Sequence, residues 1–379
     1  MIELNDARRE LLGMCREMAP DLRARALSVD SAPEDMAAHL DSPTLTLLRT
    51  AAMPPRYRTG APERVARYTD DCVAKVISNV ELARGDAGVV VANTGPGLAG
   101  VCVEALGSPE QQDLFYDAIS DGRTWAFFAM TEPERGSDAG AMQTRFDPDP
   151  DGTDGYRLNG AKRYVGNGSR GSIGVVFGRT GKSPLTIRAA ILRTPAPGFT
   201  GRALDMVGLR GARISELTFE NVTVPREHVL GAHLPASRRG LWGASRTFNV
   251  VRLQIAAIAL GTGFAALDYV REQRPYWSGT ELIGARLEAA RALLYDAANE
   301  VDHSPDDRRP ASIAKLHTTD LAVRTTRWAA TALGPGSLLE HPLLEKWSRD
   351  VYAFEFMDGT SNMLRLHTAP DVRPLELVS

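Results

Sequence analysis

The feature that most constrains the fold is a change in the spacing of apolar residues along the chain. Residues 1–124 have helical spacing and few strand formers, whereas residues 125–230 contain short β-prone runs separated by turns. From about residue 231 the helical spacing returns, with apolar side chains every three or four positions. The sequence therefore predicts an α+β protein with an N-terminal helical domain (1–124), a middle, mainly antiparallel β domain (125–230) and a C-terminal helical bundle (231–379).

Local signals place individual elements within this order. Ser108-Pro109-Glu110 predicts a helix start, because a serine cap, a proline in the first turn and an acid follow one another. The runs 173–177, 189–192 and 217–219 are predicted strands. Two apolar stripes in the third domain predict long helices: one comprises Val251, Ile255, Ile258, Thr262, Ala266 and Tyr269, the other Ile283, Leu287, Ala290, Leu294, Ala298 and Val301.

Length, charge and cysteine usage limit the class of protein. A chain of 379 residues can bury a large core, and its net charge of −3 gives no basic surface for nucleic acid. The three cysteines lie far apart without CxxC spacing, which indicates a reducing compartment and argues against disulfides or a structural metal. The acidic N-terminus lacks an apolar signal core, and uninterrupted apolar runs stay below membrane-spanning length. We expect a soluble cytoplasmic protein that binds no metal.

One segment of the middle domain has the composition of a binding turn. The apolar run 125–130 leads into Thr131-Glu132-Pro133-Glu134-Arg135-Gly136-Ser137-Asp138. A turn of this kind can present backbone N–H groups and hydroxyls to a flat polar ring or to a phosphate. The same pattern also occurs where a chain merely reverses direction, so the segment alone leaves both interpretations open.

This turn is the first of five segments that follow one another in order along the rest of the chain. The others are 156–168 (YRLNGAKRYVGNG), 206–211 with 217–225 (MVGLRG, LTFENVTVP), Arg252 with 259–261 (ALG), and 349–350 with 357–360 (RD, MDGT). Together they cover roughly residues 110–370 and resemble the acyl-CoA dehydrogenase family of flavoproteins. The resemblance implies a helical N-terminal domain, a middle β domain, a C-terminal four-helix bundle and FAD as the cofactor.

The resemblance also implies which residues hold the cofactor. The expected cofactor-binding residues are Met130, Thr131, Ser137, Tyr164, Gly166, Arg274, Gly334 and Thr360. Tyr164 and Gly166 stand where the family has a tryptophan beside the flavin and a threonine hydroxyl near N5, so the aromatic wall is kept and the hydroxyl is lost. On the adenosine side, Gln273 replaces a family arginine, and we expect Arg274 to compensate from the next position.

For catalysis, the resemblance implies that a carboxylate removes the α-proton of an acyl thioester while the β-hydrogen passes as hydride to flavin N5. Asp358 aligns with this base, and apolar neighbours are predicted to raise its pKa. Its side chain is one methylene shorter than the usual glutamate. Val251 occupies the position of an alternative base in some relatives, which leaves Asp358 as the one carboxylate that the motif supports. Ser137, Arg252 and Gly359 are the expected substrate-binding residues.

Three functions remain open at this point. The first is a dehydrogenase of a specialised pathway that oxidises acyl thioesters of CoA or an acyl carrier protein, passes electrons to an electron-transfer flavoprotein or to oxygen, and forms a homodimer or homotetramer. The second is a flavin-dependent oxidase or monooxygenase similar to the nitroalkane oxidase branch, suggested by the aspartate base and the missing hydroxyl at Gly166. The third is a degenerate, non-catalytic member that binds an acyl carrier. Arg238, Arg239 and Arg246 suit the phosphates of CoA or an acidic carrier equally well.

Overall fold

The computed structural model describes residues 3–58, 71–136, 138–150 and 154–369. Its N-terminal part is helical: α1 (Asp6–Ser31), α2 (Pro43–Ala52), α3 (Cys72–Ala92), α4 (Gly97–Leu106) and α5 (Pro109–Ala118). The predicted start of α5 is confirmed, because the Ser108 hydroxyl accepts a hydrogen bond from the Gln111 amide and the Gln111 side chain accepts one from the Ser108 amide. This reciprocal pair is a capping box.

The middle part is a seven-stranded sheet. Its strands are β1 (Ala126–Ala129), β2 (Arg145–Pro148), β3 (Gly155–Val165), β4 (Ile173–Arg179), β5 (Ile187–Arg193), β6 (Phe199–Ala203) and β7 (Ser215–Pro225). The order is β1-β4-β2-β3-β7-β6, with β5 paired to β4. The β2–β3, β3–β7, β4–β5 and β6–β7 pairs are antiparallel, whereas β4 runs parallel to β1 and β2.

Helices return after the sheet, as the apolar spacing predicts. They are α6 (Leu241–Gln273), α7 (Thr280–His303), α8 (Arg309–Leu333), α9 (Ser337–Glu340), α10 (Pro342–Asp350) and α11 (Ser361–Thr368). Helix α6 packs against α3, α7 and α8. It is long and apolar enough to cross a membrane, but 89% of its most apolar window is buried inside the protein, so it is a core helix.

Helix α6 also joins the two kinds of core. Its first turns, at Ala244 and Phe248, pack in a cluster with Met130 of the middle sheet, whereas Val251 and Ile255 belong to the helical core. The boundary between sheet and bundle therefore lies at residues 248–252 of α6. The predicted fold class, helical parts on both sides of a β domain, is confirmed.

Candidate active site

A buried ion pair between Lys162 and Glu132 holds the start of the turn that follows β1. The Lys162 ammonium donates to the Met130 carbonyl at 2.9 Å and to the Glu132 carboxylate at 3.1 Å, and both charged side chains are buried. Next to them, the Arg163 amide donates to the Thr131 carbonyl at 2.8 Å. The two residues predicted to contact the flavin ring, Met130 and Thr131, are thus tied through their backbone carbonyls to strand β3.

Glu132 connects this turn to β2. Its carboxylate accepts hydrogen bonds from the backbone amides of Gln143 and Thr144 at 2.6 and 2.8 Å, and from the Thr144 hydroxyl at 2.6 Å. Burial alone would raise the pKa of Glu132, but Lys162 and these hydrogen bonds hold it below its ordinary value. Burial lowers the pKa of Lys162 to about 8. Residues 130–132, where the turn begins, are therefore held in place by β3 and by the residues that precede β2, as a positioned binding edge requires.

Tyr164 presents its ring to solvent beside this turn. Its φ of 61° lies in the left-handed region, where β3 departs from its register with β7, and 58% of its surface is exposed. Non-glycine residues in this region are uncommon and concentrate at functional sites. At Gly166, an added Cβ would meet Ile214 Cδ1 at 3.9 Å, an ordinary contact, so the loss of the family's threonine leaves usable space.

Asp358 lies in a left-handed turn between α10 and α11. Its φ is 50° and that of Gly359 is 103°. The carboxylate oxygen Oδ2 is buried and has no hydrogen-bond partner among the described residues. Burial raises the pKa of Asp358 above its ordinary value, against the lowering effects of Arg252 and Lys315. The direction predicted from the sequence is confirmed, and a carboxylate of raised pKa without a partner suits a general base.

Two cations from neighbouring helices hold the backbone of this turn. The Arg252 Nε of α6 donates to the Asp358 carbonyl at 2.9 Å, and the Lys315 Nζ of α8 donates to the Gly359 carbonyl at 2.7 Å. Thr360 then caps α11, because its hydroxyl accepts from the Met363 amide at 3.3 Å. The residues predicted from the C-terminal motif therefore lie together with Arg252.

Strand β1, which leads into the turn, and the Asp358 turn both contact helix α6. The Phe248 ring packs edge-on against Phe128 of β1, with 5.8 Å between the ring centroids. Four residues later, Arg252 contacts Asp358. Side chains four apart on a helix are neighbours, about 5–6 Å between Cβ atoms. The end of β1 and the Asp358 turn therefore flank one turn of α6.

Arg274 and Gly334 lie elsewhere. Arg274 follows the end of α6, where its guanidinium donates to the Leu333 carbonyl at 3.3 Å beside Gly334, whose φ is 95°. The helix between Arg252 and Arg274 is about 33 Å long at 1.5 Å per residue. The two residues predicted for the adenosine side thus lie together, but far from Asp358. Ser137 lies outside the described residues.

Sequence reasoning missed Lys162 and Lys315. Both are fully buried, and both contact backbone that carries predicted site residues. A signal was available, since only five of the 44 lysines and arginines are lysines. In such an arginine-rich chain, each lysine marks a position where a compact ammonium is used instead of a planar guanidinium.

Comparison with known proteins identifies the family. The family model "Acyl-CoA dehydrogenase, middle domain" matches residues 127–222, and "Acyl-CoA dehydrogenase, C-terminal domain" matches residues 282–372. A short-chain specific acyl-CoA dehydrogenase of Megasphaera elsdenii is 31% identical over 77% of this chain and 80% of its own length. A caffeyl-CoA reductase–Etf complex subunit of Acetobacterium woodii is 28% identical over 80% of this chain and 83% of its own length. The chain belongs to the acyl-CoA dehydrogenase family of flavin-dependent oxidoreductases.

Solved structures agree with this assignment. Butyryl-CoA dehydrogenase from Megasphaera elsdenii has a TM-score of 0.82 and 27% identity, covering 97% of this chain and 98% of its own. Two structures share the fold at lower identity. A glutaryl-CoA dehydrogenase of Mycobacterium smegmatis in complex with FADH2 has a TM-score of 0.80, 21% identity and coverages of 96% and 94%. The prolyl acyl carrier protein oxidase AnaB has a TM-score of 0.81 and 22% identity, covering 97% of this chain and 98% of its own. The predictions of an enzyme and of FAD are confirmed at the level of the family.

Proposed function

We propose that this enzyme introduces an α,β double bond into an acyl thioester, with Asp358 taking the α-proton. The observation that carries this proposal is the buried, unpartnered Oδ2 of Asp358, across one turn of α6 from the turn after β1. A carboxylate kept for structure would be paired, because an unpaired buried charge is costly. The same observation disfavours the non-catalytic alternative.

Burial and Arg252 would each contribute to proton transfer at Asp358. Burial raises the pKa of the Asp358 carboxylate toward the range useful for a base. Arg252 holds the Asp358 carbonyl, so its contact fixes the backbone of the base. Since the side chain is one methylene shorter than glutamate, the thioester would lie closer to this turn than in relatives with the longer acid.

The residues near Thr131 fit FAD. The exposed ring of Tyr164, presented by a left-handed residue, offers a flat wall for a flat ring, and Lys162 fixes the Met130 backbone beside it. Met130, Thr131, Tyr164 and Gly166 would hold the flavin, with Ser137 and Thr360 as further contacts. Bound FAD would supply the acceptor for the β-hydride.

The direct test is Asp358→Asn, which keeps the size of the side chain and removes its basicity. We expect anaerobic flavin reduction by an acyl thioester to slow by about 1,000-fold or more, since general base catalysis contributes up to about 10,000-fold. The visible spectrum of the untreated variant should still show bound flavin. Arg324→Met, at an exposed ion pair on α8, is the matched control. Undiminished reduction in the Asn variant would remove Asp358 as the base.

The carrier of the acyl group is CoA or an acyl carrier protein. At the start of α6, the Arg238 and Arg246 guanidiniums lie over the Trp242 ring, with 5.9 and 5.7 Å to its centroid. Trp242 lies on the same helix as Arg252, about 15 Å from it at 1.5 Å per residue, and Arg238 lies just before this helix. Arg246 also pairs with Asp306 at 3.3 Å, and the two guanidiniums suit phosphate or acidic side chains. We propose an electron-transfer flavoprotein or oxygen as the acceptor, in line with the reductase–Etf subunit among the relatives.

A second candidate is a flavin-dependent oxidase, favoured by the open space at Gly166. Without the family's threonine hydroxyl, the space above this backbone is free for oxygen. The same spectroscopic experiment separates the two functions. Rapid reoxidation in air with oxygen consumption on each turnover supports an oxidase, and a reduced flavin that persists in air supports a dehydrogenase.

We also propose a homo-oligomer, a dimer or tetramer. Arg274 and Gly334 lie about 33 Å along α6 from Arg252, too far to serve the same end of one cofactor. In the family, the arginine that Gln273 replaces here reaches a neighbouring subunit's cofactor, and we expect Arg274 to take that role from the next position.

A further inference from the structure

Lys315 differs from the other buried lysines in its hydrogen-bond partner. Lys162 and Lys346 each have a carboxylate within hydrogen-bond distance, whereas Lys315 donates to the Gly359 carbonyl. In the part of the chain that the structure describes, no carboxylate oxygen lies within 4.0 Å of the Lys315 nitrogen. A buried ammonium is costly unless charge lies nearby, and burial lowers the pKa of Lys315 to about 8. Asp358 and Glu355 are the acids that act on it, and Arg252 is the neighbouring cation.

The backbone next to the Lys315 contact is strained. Asp358 and Gly359 both have left-handed φ values, 50° and 103°, and a non-glycine residue such as Asp358 persists there only where its surroundings hold it. The carbonyls of these two successive residues accept from two different cations, Arg252 at 2.9 Å and Lys315 at 2.7 Å. Because the cations come from α6 and α8, the turn is held from two sides.

We infer that Lys315 is a positioning residue for the base: together with Arg252 it holds the Asp358–Gly359 turn, and its charge favours the ionised form of the Asp358 carboxylate. This inference rests on the proposed function of Asp358 and adds a residue that no sequence motif marks. Arg252 and Lys315 are the charged groups that act on Asp358. Of these two cations, Lys315 is the one that can lose its proton in the working pH range, because an arginine stays charged at all working pH values.

The test compares Lys315→Met, which removes the charge and the donor, with Lys315→Arg, which keeps both. The first readout is the pH profile of anaerobic flavin reduction by an acyl thioester. We expect the midpoint of Lys315→Met to move upward by about one unit, because a nearby cation favours the ionised form of a carboxyl. Lys315→Arg should keep the wild-type midpoint. Lys182→Met, which removes an exposed lysine between β4 and β5, should do the same and is the matched control.

The second readout does not depend on activity. We expect the amides of residues 357–363 to exchange with deuterium about tenfold faster in Lys315→Met, because the turn and the start of α11 lose one of their two anchors. Near-ultraviolet circular dichroism checks that each variant is folded. Lys315→Gln, neutral but polar, replaces the Met variant if the latter does not fold.

The outcomes separate this inference from the proposed function. A folded neutral variant with an unchanged pH midpoint, or with unchanged exchange at 357–363, overturns the inference. If no acyl thioester reduces the wild-type flavin, the proposed function fails, and the exchange experiment alone decides whether Lys315 holds the turn.

Discussion

At the scale of single residues, the proposed site depends on a carboxyl group whose charged form is disfavoured by burial and favoured by two cations. Asp358 has a buried Oδ2 without a partner, and burial raises its pKa despite two nearby cations. Buried acids of this kind are a known compromise between stability and function. The direction of its effect on stability can be measured as a function of pH.

We predict that, as pH rises through the folded-state pKa of Asp358, the rate of flavin reduction increases and the stability of the folded protein decreases. In the unfolded chain its pKa is near 3.8, and in the folded protein it is higher. Between the two values the folded state binds more protons, so the stability contribution of Asp358 is present at low pH and is lost as pH rises through the folded pKa. Flavin reduction should rise over the same range, since only the ionised base accepts a proton.

The measurement combines stopped-flow flavin reduction with urea unfolding of wild type and Asp358→Asn, from about pH 4 to about pH 8. The stability of the Asn variant relative to wild type should increase with pH across the window in which the wild-type rate increases. Parallel pH slopes for the two unfolding curves would contradict the raised pKa.

At the scale of elements, helix α3 is joined to the C-terminal part at its kink. Asp86 interrupts α3 with φ −164° and ψ 124°, and its carboxylate accepts from the Val89 amide at 2.9 Å, capping the second half of the helix. The same carboxylate accepts from Lys346 Nζ at 2.8 Å and from Trp347 Nε1 at 3.0 Å, both on α10. The kink is thus a point of attachment between α3 and α10.

The cluster extends to the middle domain. Lys346 also donates to Asp350 at 2.6 Å, and the other oxygen of Asp350 accepts from the Leu209 amide at 2.6 Å. Burial alone would lower the pKa of Lys346, but the two carboxylates raise it above its ordinary value. All three charged side chains are buried. One lysine therefore connects the three parts of the chain.

We predict that Lys346→Met destabilises the protein by about 3–5 kcal/mol, because it leaves two buried carboxylates without their cation. Denaturant unfolding followed by tryptophan fluorescence gives the value. The double variant Lys346→Met/Asp350→Asn should recover part of the loss. Arg324→Met at the exposed pair with Asp320 should change stability by less than about 1 kcal/mol. A loss for Lys346→Met as small as that of Arg324→Met would show that the cluster carries little stability.

At the scale of the whole molecule, α6 links two distant places. Arg252 near its start contacts the proposed base, and Arg274 just past its end contacts the end of α8. The exposed Tyr276 and Trp277 follow Arg274, and its guanidinium lies 5.3 Å from the centroid of the Trp277 ring. In the proposed homo-oligomer, we expect this far end to meet a second subunit.

We predict that Arg274→Ala weakens FAD retention about tenfold, the effect of one lost charge-assisted hydrogen bond to cofactor held across a subunit interface. FAD content after gel filtration at two protein concentrations, with sedimentation of the same samples, measures it. The neighbouring Arg271→Ala removes an equally exposed arginine of α6 and serves as control. A wild-type protein that sediments as a monomer with full FAD content would exclude the proposed oligomer.

The sequence by itself determined the class of fold and the family, and it supplied the proposal of Asp358 as the base. These follow from local patterns: apolar spacing sets the type of element, and short motifs such as TEPERGSD and MDGT keep the candidate site residues within a few positions of one another. The upward direction of the Asp358 pKa shift was predicted as well, and its cause in the structure is burial of the carboxyl group.

Only the tertiary structure decided which distant residues support that site. Lys162 and Glu132 are 30 positions apart, and Lys315 and Gly359 are 44 apart, so neither contact leaves a trace in local spacing. The place of Arg274, which follows α6 and contacts the end of α8 at Leu333, likewise depends on how these two helices pack. The physical reason is common to all three: periodicity records which face of an element is buried, whereas the partner on the other side is set by how whole elements pack.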